Sequence, residues 1–413
     1  MDILKKLHNP EKYWKVLFKW GFLGVLMGVI GGLLGAGFHH ALHFVTHIRQ
    51  ENPWLVWLLP AAGLLSVGIY HVFKLRSNRG TNEILDAVLK GEKLNPLIAP
   101  VIFLATSITH LFGGSAGREG AALQLGGSTA SLLARLLRLE EKSRTVLTMA
   151  GMSAVFAGLF GTPLTATIFC MEFSNVGTIF TPAFLPCYVA AFSASRVSAA
   201  LGVHAETYFL NDAVAFTFNV GWQVVVLALL VGVLGIGMCY FLHEAEHFAA
   251  HKLPNPWVRI VVGGMIIAVL TALVGDHRYN GAGMDMALKA VSGQADWYDF
   301  LMKLLFTAVT LSAGFKGGEI VPTFCIGATF GCLVGGLLGL DPGIAAALAL
   351  VGLFCCATNS PIASIILSVE MFGSANLHMF ALVCVIAFVI SGNWGLYSSQ
   401  VIRFSKARFV RRV

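Results

Sequence analysis

Residues 111–120 read Leu111-Phe112-Gly113-Gly114-Ser115-Ala116-Gly117-Arg118-Glu119-Gly120, a glycine-rich break that sets an arginine and a glutamate between two apolar runs. Glycine accepts φ > 0 and lets a second backbone come close, so this stretch predicts a helix that stops and restarts. The pattern returns two hundred positions later as Gly317-Gly318-Glu319-Ile320, matching Gly117-Arg118-Glu119-Gly120. A second pair follows in the same order: Gly161-Thr162-Pro163 with Glu172, and Asn359-Ser360-Pro361 with Glu370. The chain therefore reads as two related halves, a first repeat over 1–201 and a second over 217–413, joined by a less apolar linker over 202–216 that carries His204, Glu206 and Asp212. No soluble regulatory domain is expected.

The solvent around these halves follows from composition. Hydrophobic residues make up 56% and charged residues 12% of the 413 positions, with a mean hydropathy of +0.76, whereas soluble domains are about 25% charged. Runs without a charge over 20–48, 52–73, 94–117, 173–195, 213–243, 320–340 and 371–402 are long enough for a bilayer core, which takes about 20 residues of helix. The first run is too long for a cleavable signal. Lys5, Lys6, Lys12, Lys15 and Lys19 at one end and Arg403, Lys406, Arg408, Arg411 and Arg412 at the other predict two cytoplasmic termini and an even number of crossings. The formal charge of +7 is then topology, and no nucleic-acid partner is expected. All eight cysteines sit in apolar segments without metal-ligand spacing and read as small buried hydrophobes.

Half-helices that begin inside a membrane leave free N–H groups and a positive dipole end, which together suit an anion. The glycine clusters 113–120, 126–127 and 314–318 are each expected to introduce such a start. Glu119 lies at one of them. It either caps free amides or competes with an anion for them, blocking when charged and leaving when protonated, so that one residue couples a proton to an anion. Glu319 divides between proton relay and structural capping, while Glu172 and Glu370, at helix ends, read as structural or interfacial. Gly113-Gly114-Ser115-Ala116-Gly117 matches the G-x-S-x-G hydrolase elbow with His110 nearby, but an elbow needs a preceding strand and 102–112 reads as helix. His39, His43 and His47 share one helix face, which favours an interfacial stripe over a metal site; His40 points elsewhere.

Gly117-Arg118-Glu119-Gly120, Gly318-Glu319-Ile320-Val321-Pro322 and Gly395-Leu396-Tyr397, in this order, resemble the motifs of the CLC chloride channel and transporter family. The fuller strings, with Gly314-Phe315-Lys316-Gly317-Gly318-Glu319 and Tyr397-Ser398-Ser399-Gln400, look most like its bacterial fluoride-exporting branch, although Ala121 and Val321 stand where that branch commonly has threonine. The resemblance implies an all-α integral membrane fold of two inverted repeats with broken, uneven helices, a homodimer, and no cofactor. It implies gating and proton transfer at Glu119 and Glu319. Anion contacts are implied at Arg118, Gly120, Glu319, Ile320, Val321 and Tyr397. In the loop Asn78-Arg79-Gly80-Thr81-Asn82, Thr81 is the expected side-chain donor. Family members coupled to chloride often carry a second acid just after the position of Glu172, where this chain has Phe173. The expected function is transport of a small halide, fluoride ahead of chloride, exchanged for protons across the cell membrane by a protein that is not an enzyme. The alternative within the family is a passive anion channel.

Overall fold

The computed structural model describes residues 10–75, 79–208, 210, 214–404 and 406. Asn78, Asp212 and, of the two basic ends, Lys5, Lys6, Arg408, Arg411 and Arg412 lie outside them. Among the described residues eight α-helices precede the segment 202–216 and eight follow it. The first set is α1 (Pro10–Glu51), α2 (Leu59–Val72), α3 (Thr81–Lys90), α4 (Ile98–Leu111), α5 (Glu119–Leu136), α6 (Glu141–Phe160), α7 (Pro163–Glu172) and α8 (Phe184–Ala200). The second is α9 (Phe218–Lys252), α10 (Pro256–Val274), α11 (Met284–Val291), α12 (Asp299–Ala313), α13 (Ile320–Leu338), α14 (Pro342–Thr358), α15 (Pro361–Phe372) and α16 (Leu377–Ile390). The two sets correspond one to one: each opens on a very long helix, has a short amphipathic helix third, and breaks before its fifth and seventh members. Among the described residues six helices are long and apolar enough to cross a membrane, and four shorter ones are also apolar. Large apolar side chains such as Phe22, Leu273 and Leu337 stand exposed on the outside, as a hydrocarbon solvent allows.

Small residues let the helices approach. On α1, a side chain at Gly28 would stand 2.5 Å from Cβ of Ser193 in α8, and one at Gly31 would stand 2.5 Å from Cβ of Ala154 in α6. With no hydrophobic driving force between helices in lipid, such close backbone packing is what holds them together. Gly126 plays the same part between α5 and α6, where a Cβ would come within 2.2 Å of the Gly151 carbonyl. The cluster 126–127 therefore lies inside α5 and does not start a helix, contrary to the expectation from its glycines.

The halves are tied by two reciprocal contacts. Gly117 and Gly318 exchange main-chain bonds, N–H to O, of 2.6 and 2.8 Å in an antiparallel bridge. The bridge moves the repeat register by one residue. Gly117 pairs with Gly318, Arg118 and Glu319 are the N-caps of α5 and α13, and the left-handed Gly113 and Gly314 precede them. The counterpart of Glu119 is thus Ile320, and Glu319 corresponds to Arg118; the motif alignment with its offset of two hundred is one short. The second contact is made by the paired glutamates. Left-handed Gly161 and Asn359 end α6 and α14, and Pro163 and Pro361 open the next helices, whose first N–H groups have no partner of their own. Glu370 accepts from the amides of Leu164 and Thr165 at 2.9 and 2.8 Å, and Glu172 accepts from those of Ile362 and Ala363 at 3.1 and 2.8 Å. Each half caps the other's seventh helix, which gives both glutamates the structural role read from their positions.

Glu172→Ala leaves two amides at the start of α15 without an acceptor, and Ala363 is buried. The change is expected to cost about 1–3 kcal/mol of stability, read as a lower thermal unfolding midpoint in detergent. An unchanged midpoint would remove the caps from the account.

Candidate functional site

Glu119 opens α5 and is fully buried. Its Oε2 accepts from the amide of Arg118 at 3.1 Å and, across the repeat interface, from the amide of Val321 at 3.2 Å. The carboxylate lies in a cradle of glycines. A Cβ on Gly117 would stand 2.3 Å from Oε2 and one on Gly318 would stand 3.1 Å from it. Glycine is required at both places for a negatively charged group to reach main-chain N–H donors. Glu119 therefore lies where a helix start, main-chain amides and the lack of side chains leave room for a small acceptor group. Its other oxygen, Oε1, is buried without a protein partner.

Glu319 and Tyr397 complete the centre. Glu319 caps α13, and its Oε2 is buried and unpartnered; the hydroxyl of Tyr397, whose side chain is buried, is likewise unpartnered. Both interact electrostatically with Glu119. Buried polar atoms almost always find partners, so three orphans at one centre mark a place for an ion, a proton or water. Thr81 is the first residue of α3, and its Oγ1 would lie 2.9 Å from a Cβ on Gly120. Ile320 and Val321 are buried in the first turn of α13. The structure thus brings the sequence-derived residues together, with one qualification: the Arg118 side chain leaves the centre. Its guanidinium pairs with Glu206, lies 3.5 Å from Nδ1 of His39 and covers the ring of Phe160 at 5.2 Å. Its amide donates to the carboxylate, on which its charge also acts.

Two cavities approach the Gly117–Gly318 bridge and share no lining residue. One, of about 1070 Å³, is walled by the last turns of α1, with His39 and His43, and reaches Arg118 and Val321. The other, of about 670 Å³, is walled by α2 and the later turns of α9 and reaches Gly317, Glu319 and Tyr397. Glu119 lies between them. In the first cavity the rings of His39 and His43 stack at 6.4 Å, His47 pairs instead with Glu51, and His40 turns away to the carbonyl of Leu201. No group of three metal-ligating side chains forms among the described residues.

Phe173 is buried, stacked on Phe169 at 4.6 Å and edge-on to Tyr397 at 5.9 Å. The side chain of Gln400 donates to the carbonyls of Phe173 and Thr358, which clamps the segment that presents Tyr397. Ser115 follows helix α4, not a strand. Its hydroxyl is held by Thr307 at 3.1 Å and by Nζ of Lys303 at 3.0 Å, so no nucleophile elbow is present. Lys303, fully buried, also donates to the carbonyls of Tyr279 and Gly281, which satisfies its three N–H bonds. Sequence reasoning passed over Lys303 although it lies between apolar residues of α12; an intramembrane lysine is itself a signal. Glu206 was visible only as a linker acid.

The family model described as voltage gated chloride channel matches residues 62–392. A protein of Pseudomonas syringae pv. tomato named chloride/fluoride channel protein is 34% identical, with 98% of this chain and 91% of that protein aligned. The crystal structure of a CLC-type fluoride/proton antiporter superposes with a TM-score of 0.90 at 36% identity, covering 94% of this chain and 98% of that one. A slow cyanobacterial Cl⁻/H⁺ antiporter, at 20% identity, shares the fold with a TM-score of 0.76 over 90% of this chain and 94% of that one. With the broken helices meeting at a glycine-cradled carboxylate and the family model spanning most of the sequence, this chain belongs to the CLC family of voltage gated chloride channel proteins.

Proposed function

We propose that this protein carries a small halide across the cell membrane in exchange for protons, with fluoride as the first substrate and chloride as the second. The observation that carries the proposal is the Glu119 carboxylate on the amide of Val321, between a cavity that reaches Arg118 and Val321 and another that reaches Gly317 and Glu319. Protonation removes the charge that holds Glu119 there, and a halide takes the amides it leaves. When Glu119 loses the proton it competes for the site again. A halide and an unprotonated Glu119 exclude each other, which is the condition for coupling.

Residues 1–201 and 217–413 act as the two repeats of one transport unit, with 202–216 as connector. The anion contacts are the backbone from Arg118 to Gly120 and from Glu319 to Val321, with the hydroxyls of Thr81 and Tyr397. Fluoride is favoured because the cradle is lined by main-chain N–H groups and glycine, which suit a small and strongly hydrogen-bonding ion, and because a 36% identical protein of the same fold is a fluoride/proton antiporter. Glu319 serves as the second proton stop, since one side chain cannot reach both aqueous sides. Its unpartnered oxygen in the second cavity supports that role over mere capping. The basic ends put both termini in the cytoplasm, which makes the first cavity the outer one and the second the inner one. The resemblance to the family supports a homodimer with one pore in each subunit. The chemistry needs no bound cofactor and no enzymatic step.

In proteoliposomes recorded for both ions, Glu119→Gln, which copies the protonated form but carries no proton, is expected to abolish proton movement and leave the protein folded. Glu319→Gln is expected to slow or uncouple protons with anion binding retained. Full proton coupling in Glu119→Gln contradicts the mechanism, and a passive channel would show no proton flux even in the wild type.

Tyr397→Phe removes one donor from the centre. Halide affinity by calorimetry is expected to fall by about 0.5–1.5 kcal/mol, the worth of one hydrogen bond. Unchanged affinity would assign the tyrosine to packing.

A further inference from the structure

A proton that Glu319 carries must come from the inner solution, and Glu319 is held at a helix start inside the protein. The place just after α7 offers nothing: the Phe173 side chain is packed between two rings and its carbonyl is taken by Gln400. The route that remains is the inner cavity itself. Among the described residues that line it, only two are carboxylates, Glu319 at its inner end and Glu246 on α9. Glu246 is exposed, so its carboxylate is open to bulk water. The two acids feel each other's charge, and each also feels the ammonium of Lys316, which rests over the ring of Tyr70 at 4.7 Å between the same walls.

We infer that Glu246 is the proton-entry residue of the inner cavity, passing protons between the cytoplasmic solution and Glu319 through the water that fills the space between them. The inference rests on the relay reading of Glu319. Chemically the step is a proton transfer and nothing more: hydronium protonates the Glu246 carboxylate, the proton moves along water to the Glu319 carboxylate, and no other bond changes. Intramembrane proton routes are commonly chains of such acids. A carboxylate in the mouth would repel the anion that uses the same cavity, but Arg79, Arg259 and Lys316 line it too, so its fixed charges do not exclude a halide. His71, His243, Tyr70 and Tyr397 are the remaining titratable groups of the lining; a ring nitrogen of His243 lies 3.2 Å from the carbonyl of Leu396, which anchors that ring in place.

Glu246 is on the surface of a long helix, so Glu246→Gln is expected to fold. In oriented proteoliposomes it should slow proton movement several-fold at neutral inner pH, leave halide affinity by calorimetry unchanged, and regain rate as the inner pH alone is lowered, because mass action replaces the lost acid. Glu246→Asp should keep most of the rate. Lowering the outer pH alone should not restore it, a sidedness that a merely structural role would not produce. Wild-type proton rates in Glu246→Gln at every inner pH, with Glu319→Gln impaired, overturn the proposal and leave the Glu319 relay standing. A wild-type rate in Glu319→Gln overturns both.

Discussion

The structure depends on a four-atom contact at its centre, the paired main-chain bonds between Gly117 and Gly318. They hold the starts of α5 and α13 against each other, so that two sets of unsatisfied N–H groups and two positive dipole ends face one spot far from water. Such an arrangement is costly unless an anion fills it. Glu119 takes that place from within the chain, and the proposed mechanism has it leave when a proton discharges the carboxylate. Everything else in the site follows: glycines where a Cβ would collide with the carboxylate, and cavities that end on either side of it.

The rest of the fold keeps that contact in register. The crossed caps of Glu172 and Glu370 fix α7 and α15 at the seventh position of each half, and each cap uses a charge that would be expensive in the membrane to satisfy amides that would be equally expensive. Lys303 performs a related task beside the centre. It spends its three N–H bonds on Ser115 and on the loop of Tyr279 and Gly281, which pins the glycine-rich turn from behind. Arg118 turns its guanidinium to Glu206 while its amide donates to Glu119.

Much of this was legible in the sequence because it is written in residue types that have few other uses inside a membrane. Glycine runs flanked by apolar helix, a glutamate at each restart, and prolines followed nine residues later by glutamates gave the repeat, the broken helices and the centre. The spans 20–48, 52–73 and 213–243 correspond to α1, α2 and α9. The helix α6 was passed over although 145–171 carry no charge and the helix is apolar enough to span a membrane; its many small residues make it the least hydropathic of the six. Arg259, near the start of α10, interrupts the charge-free run there. Gly126 and Gly127 misled because glycine at a helix crossing and glycine at a helix break look alike in sequence. The register of the repeat was off by one since Gly318 can align with either Gly117 or Arg118, and only the hydrogen-bonded bridge decides. Contacts between distant positions, such as Arg118 with Glu206, carry no local signal at all.

The central claim is that Glu119 and the anion compete for the same amides. It is tested most directly by measuring halide affinity calorimetrically as a function of pH in the purified wild type and in Glu119→Gln. Competition requires proton and halide binding to be linked, so wild-type affinity should weaken as pH rises through the titration of Glu119, and Glu119→Gln should remove most of that dependence while binding halide at least as well. Wild-type affinity that does not vary with pH, or an equal pH dependence in the variant, would contradict the account.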